Sequence, residues 1–169
     1  MKAAGIILAV AIAIALQSTV AHFLPRWAAA VDFTLVVVVY VALSSGPVAG
    51  LLTGAGAGLV QDALSSGVIG IGGLAKTIVG FLTGVVGTQF IVAQTLPRFV
   101  VFFVATLLHA VIFIGLYVLL DLRQFGTPYA AVAGQALGNA IVGVLAFQLA
   151  ELLPGAVERR RGAHMRLRR

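Results

Sequence analysis

The sequence predicts an all-α integral membrane protein of about six transmembrane helices. Three observations carry that reading. Of 169 residues, 61% are hydrophobic and only 9% are charged, whereas a soluble domain carries about 25% charged residues to face water. The apolar residues fall into six long runs separated by Pro, Gly or short polar breaks. Within those runs apolar and polar residues do not alternate, so the strands of a membrane barrel are excluded. Cysteine is absent, which removes disulfides, thiolate nucleophiles and cysteine metal sites.

A spanning helix needs about 20 apolar residues, and each run is judged against that length. The first extends from Ala3 to Leu24 and stops at Pro25-Arg26. Lys2 and the small residues before Phe23 also suit a cleaved signal peptide, but the run continues past Ala21 and is read as a span. The second extends from Ala28 to Ser45, and the third from Pro47 to Leu64, parted by Gly46-Pro47. After Ser65-Ser66-Gly67, the fourth extends from Gly70 to Ala93. The fifth starts at Pro97 and reaches Leu120. Beyond the polar Asp121–Gln124, the sixth extends from Pro128 to Leu153, where Pro154-Gly155 ends it. The breaks at Gly46-Pro47 and Gly67 are short enough that five or seven spans also fit. Residues 1–155 form one helical domain in this reading, and 156–169 a basic tail.

Basic residues set the orientation. With six spans both termini share a side. Placing them in the cytoplasm puts Lys2, Arg98 and the arginines at 159, 160, 161, 166, 168 and 169 inside, leaving Arg26 and Arg123 outside. The tail, with Arg159, Arg160, Arg161, Arg166, Arg168 and Arg169, is expected to anchor that end and to contact anionic lipid. Nothing in the chain is suited to reading nucleic acid.

Glycine spacing describes packing. Gly46, Gly50, Gly54 and Gly58 recur every four residues along the third run; Gly80 and Gly84 do so in the fourth, and Gly134 and Gly138 in the sixth. Small residues let helix backbones approach closely in lipid. These faces therefore serve packing within the chain or reception of a partner helix.

Ionisable groups within membrane segments are costly and few. Asp32, Asp62 and Lys76 all fall toward the outer face in the assigned topology, with Lys76 roughly 9 Å into its helix at 1.5 Å per residue. Lys76 is expected to snorkel to the headgroups or to pair with Asp62, and the trio to serve structure or to bind a partner or small ligand. His109 and Asn139 belong near the midplane, as hydrogen-bond partners between helices. Gln17, Ser18 and Thr19 bond their own backbone or a neighbour, as do Gln135 and Gln148.

No catalytic constellation is present in the sequence. The three histidines are not clustered with acids at metal-ligand spacing. Serines at 44, 45, 65 and 66 lie at helix ends, away from the depth of His109. The glycines before Lys76-Thr77 lack phosphate-loop spacing. No cofactor is expected.

One stretch narrows the function. Leu16-Gln17-Ser18-Thr19 is followed by Asp32, the apolar run to Val39, and Tyr40-Val41-Ala42-Leu43. Gly46-Pro47 with Gly50, Gly54 and Gly58 comes next, then Gln61-Asp62 and Leu64-Ser65. Gly70, Leu74-Ala75-Lys76-Thr77 and Gly80-Phe81-Leu82-Thr83-Gly84 complete it. This order resembles the bacterial rod shape-determining MreD family, in motif over the first half and in length and hydropathy over the rest. The resemblance implies a fold like the membrane subunit (S-component) of energy-coupling factor transporters. It implies a non-enzymatic scaffold of the cell-elongation machinery in the inner membrane, acting on lateral peptidoglycan synthesis. It implies the transmembrane helix of MreC as partner, near MreB and the elongation synthases, with a glycine-lined face of the third, fourth or sixth helix as the groove. The alternative is the substrate-binding membrane subunit of a small-solute, vitamin-type transporter, with Asp32, Asp62 and Lys76 as its polar contacts.

Overall fold

A computed structural model describes residues 3–23, 31–65, 68–90, 94–122 and 129–166, with side-chain surroundings to residue 20 in the first segment and residue 152 in the last. These residues form six α-helices: α1 (Ala3–Phe23), α2 (Phe33–Ser45), α3 (Pro47–Leu64), α4 (Ile71–Gln89), α5 (Thr95–Leu119) and α6 (Tyr129–Arg166). Four are long and apolar enough to cross a membrane: α1, α4, α5 and the Tyr129–Leu152 part of α6. The protein is an all-helical membrane protein. The two helices below that standard are α2 and α3. Asp32 starts α2 late, by accepting the Leu35 N–H at 2.9 Å, which leaves a 13-residue helix about 20 Å long. In α3, glycines and Gln61-Asp62 dilute the apolar run.

A single residue joins α2 to α3. Gly46 sits at φ 90° and donates its N–H to Ala42 O at 2.9 Å, a left-handed backbone that glycine adopts without strain. Pro47 then opens α3, where its missing N–H is harmless. Gly46 is thus a hinge, and does not belong to the α3 face onto which its spacing placed it. Pro97 likewise lies within the first turn of α5, which begins two residues before it.

The tightest pairing is α3 against antiparallel α4. A Cβ at Gly50 would meet the Gly80 carbonyl, one at Gly54 the backbone of Lys76 and Thr77, one at Gly58 the backbone of Gly73, and one at Gly84 the backbone of Pro47. Backbone touches backbone along the whole ridge, the close approach that small residues permit in lipid. α2 runs through the middle and touches all five other helices. Its Leu35, Val36 and Val39 join Val79, Phe102, Ala105 and Ala140 in the core. Phe102 of α5 lies against Gly143 of α6, where a Cβ would strike its ring. α1 is peripheral: it touches α2 and α3, and Gln17 Oε1 accepts the Phe33 N–H at 2.9 Å. Ser18 and Thr19 bond back to Ile14 O and Ala15 O.

One boundary differs from the sequence reading. α6 does not stop at Leu153 but continues through Pro154 to Arg166. Proline forfeits one i→i−4 bond there, and the helical backbone continues across that gap. The helix therefore crosses the expected boundary between domain and tail.

Polarity is inverted relative to a soluble protein. Leu8, Leu52, Val111 and Leu149 face outward, while Asp32, Lys76, His109 and Asn139 are buried. Lipid is the solvent that suits such a surface.

Candidate functional site

The interior polar residues converge near one end of the bundle. Asp32 is placed by its capping of α2, and its carboxylate has two jobs: Oδ1 accepts the Leu35 N–H, and Oδ2 lies 2.8 Å from Lys76 Nζ. Lys76 lies in the second turn of α4 and turns inward because the neighbouring α3 ridge, packed against its own carbonyl at Gly54, closes the other side. Its ammonium also reaches His109 Nε2 on α5 at 3.3 Å. An ammonium only donates, so Nε2 accepts and the ring proton sits on Nδ1. Asn139 of α6 completes the set. Its Oδ1 accepts the Asp32 N–H at 2.8 Å, and its Nδ2 donates to Thr106 Oγ1 at 3.1 Å. Thr106 in turn donates to Phe102 O at 2.8 Å. Four helices are thereby tied at one level, and all five side chains are buried.

This differs from the sequence expectation in two ways. Lys76 pairs with Asp32 rather than with Asp62, and it is 4% exposed, which leaves it no route to the headgroups. Asp62 is occupied elsewhere: its Oδ2 accepts the Gly70 and Gly73 N–H groups at 2.9 and 3.0 Å, capping the first turn of α4. Second, His109 and Asn139 do not sit at a separate depth; they contact the same group as Asp32 and Lys76.

A cavity of about 360 Å³ opens beside the cluster, and Asp32, Lys76, His109, Gln61, Asp62 and Tyr117 are among its lining residues. Gln61 Oε1 is shielded from solvent and has no hydrogen-bond partner among the described residues. Among those residues no group of three His, Cys, Asp or Glu could hold a metal ion.

The other end of the bundle has its own contact, which sequence reasoning missed. Arg98 on α5, read only as a topology marker, donates to Glu151 Oε1 of α6 at 2.5 Å. Its guanidinium also stands 4.6 Å over the Phe147 ring. Arg98 near the start of one helix and Glu151 late in its antiparallel neighbour was the available signal. The Phe102–Gly143 contact was also missed, because Gly143 lies outside the four-residue glycine series.

The glycine faces divide. Gly50, Gly54, Gly58, Gly80 and Gly84 are consumed between α3 and α4. Gly134 has open space where a Cβ would sit, and Gly138 is partly exposed. Of the basic tail, Arg159, Arg160, Arg161 and Arg166 lie in the helical backbone of α6, while Arg168 and Arg169 lie outside the described residues.

Compared with known proteins, residues 2–154 match the family described as rod shape-determining protein MreD. No curated protein and no solved structure matches the chain.

Proposed function

This chain belongs to the MreD family of rod shape-determining proteins, and from that premise we propose that it is a non-enzymatic scaffold of the cell-elongation machinery, holding the transmembrane helix of MreC. The carrying observation is the extent of the match, which takes in all six helices up to Pro154. MreB and the elongation synthases are its wider company, and lateral peptidoglycan synthesis is the process it serves. The bacterial inner membrane is its site, with both termini in the cytoplasm and the arginines of the tail against anionic lipid. The basic-residue distribution supports that orientation. A cytoplasm-active reporter fused to either terminus should be active; activity only in the periplasm would reverse the assignment.

The partner's groove lies between α1 and α3 in this reading. The α3–α4 glycine ridge is already filled by the chain itself, so it is not open to a second helix. Between α1 and α3 runs an apolar groove of about 480 Å³, lined by Ile7, Val10, Ala49, Leu52, Gly56 and Val60. A Cβ at Gly56 would meet nothing within 4 Å. Gly56→Leu therefore places a side chain in the groove with no clash at its Cβ, and replacing a helical glycine favours the helix by about 1 kcal/mol. Normal yield of the Gly56→Leu chain with loss of MreC co-purification is expected. Retention of MreC by this variant would remove the groove from consideration.

A further inference from the structure

The cavity beside the buried cluster has a chemistry of its own, independent of the partner groove. It is built from the last turn of α3, the early turns of α4 and α6, the second half of α5, and the cap of α2. All of these meet at the end of the bundle opposite the start of α1. Its size lies at the lower edge of ligand pockets, about 300–1,000 Å³, which suits a small ligand or a headgroup.

The charges in it do not cancel. Asp32 and Lys76 neutralise one another at 2.8 Å, and neutral His109 accepts a hydrogen bond from Lys76. The Asp62 carboxylate remains. Only its Oδ2 is engaged, by Gly70 and Gly73, and its Oδ1 makes no hydrogen bond among the described residues. The same cavity is lined by Gln61, whose Oε1 is unpartnered among the described residues. A buried acceptor without a donor costs about 1–3 kcal/mol, so an occupant that supplies donors is favoured. An anion would meet Asp62 at close range with the lysine already paired. The lining also holds Phe113 and Tyr117, whose rings are tilted at 50° with centroids 4.9 Å apart, and aromatic faces attract cations.

We propose that this cavity binds a primary organic ammonium, its –NH₃⁺ donating to Asp62 Oδ1 and Gln61 Oε1 and its carbon body lying along Phe113 and Tyr117. Two sources carry that chemistry, a free amine and the headgroup of phosphatidylethanolamine. The full chain in phosphatidylglycerol nanodiscs is titrated with 2-phenylethylammonium, 2-phenylethanol and phenylacetate. Saturable binding of the ammonium is expected, with both analogues weaker by roughly tenfold or more, since each tenfold step is only one modest charged contact. Asp62→Asn retains an oxygen for the α4 cap but removes the charge, and Gln61→Leu removes the orphan acceptor; each should weaken the ammonium by a similar factor. Absence of saturable binding, equal binding of phenylacetate, or unchanged affinity in both variants overturns the proposal. With binding established, repetition in phosphatidylethanolamine nanodiscs separates the sources. A fall in apparent affinity assigns the site to the lipid headgroup, and an unchanged one assigns it to a soluble amine.

Discussion

Lys76 has nowhere else to go. It is buried between α4, α2 and α5, its charge met by Asp32 and its remaining reach taken by His109. Removing one member of a buried ion pair leaves the other uncompensated, at a cost of ~3–5 kcal/mol, while replacing both is often close to neutral. Lys76→Met is therefore expected to destabilise the detergent-solubilised chain by that amount, and Asp32→Asn with Lys76→Met to recover most of it. Thermal denaturation of the parent, Lys76→Met, Asp32→Asn and the double variant checks this; additive losses would show that the pair is not coupled. The sequence marked both residues because ionisable groups inside apolar runs are rare. It did not marry them, because their contact spans α3 in chain order, and Asp62 stood nearer along the chain. Only the capping of α4 by Asp62 and the inward turn of Lys76 decide the partner. His109 and Asn139 bond between helices, at a level that depends on where α2 begins, which Asp32 sets by its cap.

At the scale of helices, the glycine series was legible as a packing face and illegible as to its occupant. A four-residue spacing states that one side of α3 is bare; it does not state that the bare side of α4 will lie against it. The structure pairs Gly50 with Gly80, Gly54 with Lys76, and Gly58 with Gly73, backbone to backbone. Gly54→Leu therefore serves as the contrast to Gly56→Leu. With no flexible side chain to yield at position 54, overpacking is expected to cost about 1–3 kcal/mol or more, read as loss of folded chain rather than loss of the partner alone. The helix ends followed local chemistry where it was strong, at Gly46-Pro47 and Ser65. They departed from it at Pro154, where the helical backbone continues past a proline that forfeits one hydrogen bond.

The whole molecule was the most readable level. With 9% charge and six apolar runs the chain had to be a membrane helix bundle, and the family followed from the order of Asp32, the glycines, Asp62 and Lys76. The division of labour between surfaces was not readable. The interior ridge and the charge cluster hold the bundle together, the cavity at one end carries unspent polarity, and the α1–α3 groove is left open to lipid or to a partner. The absence of native cysteine makes this division directly measurable. Single cysteines at Gly56, Leu52 and Leu145, paired with cysteines along the MreC transmembrane helix, are to be cross-linked in native membranes. Cross-links from positions 56 and 52 with none from 145 on α6 are the predicted result. Cross-links confined to 145 would contradict the account.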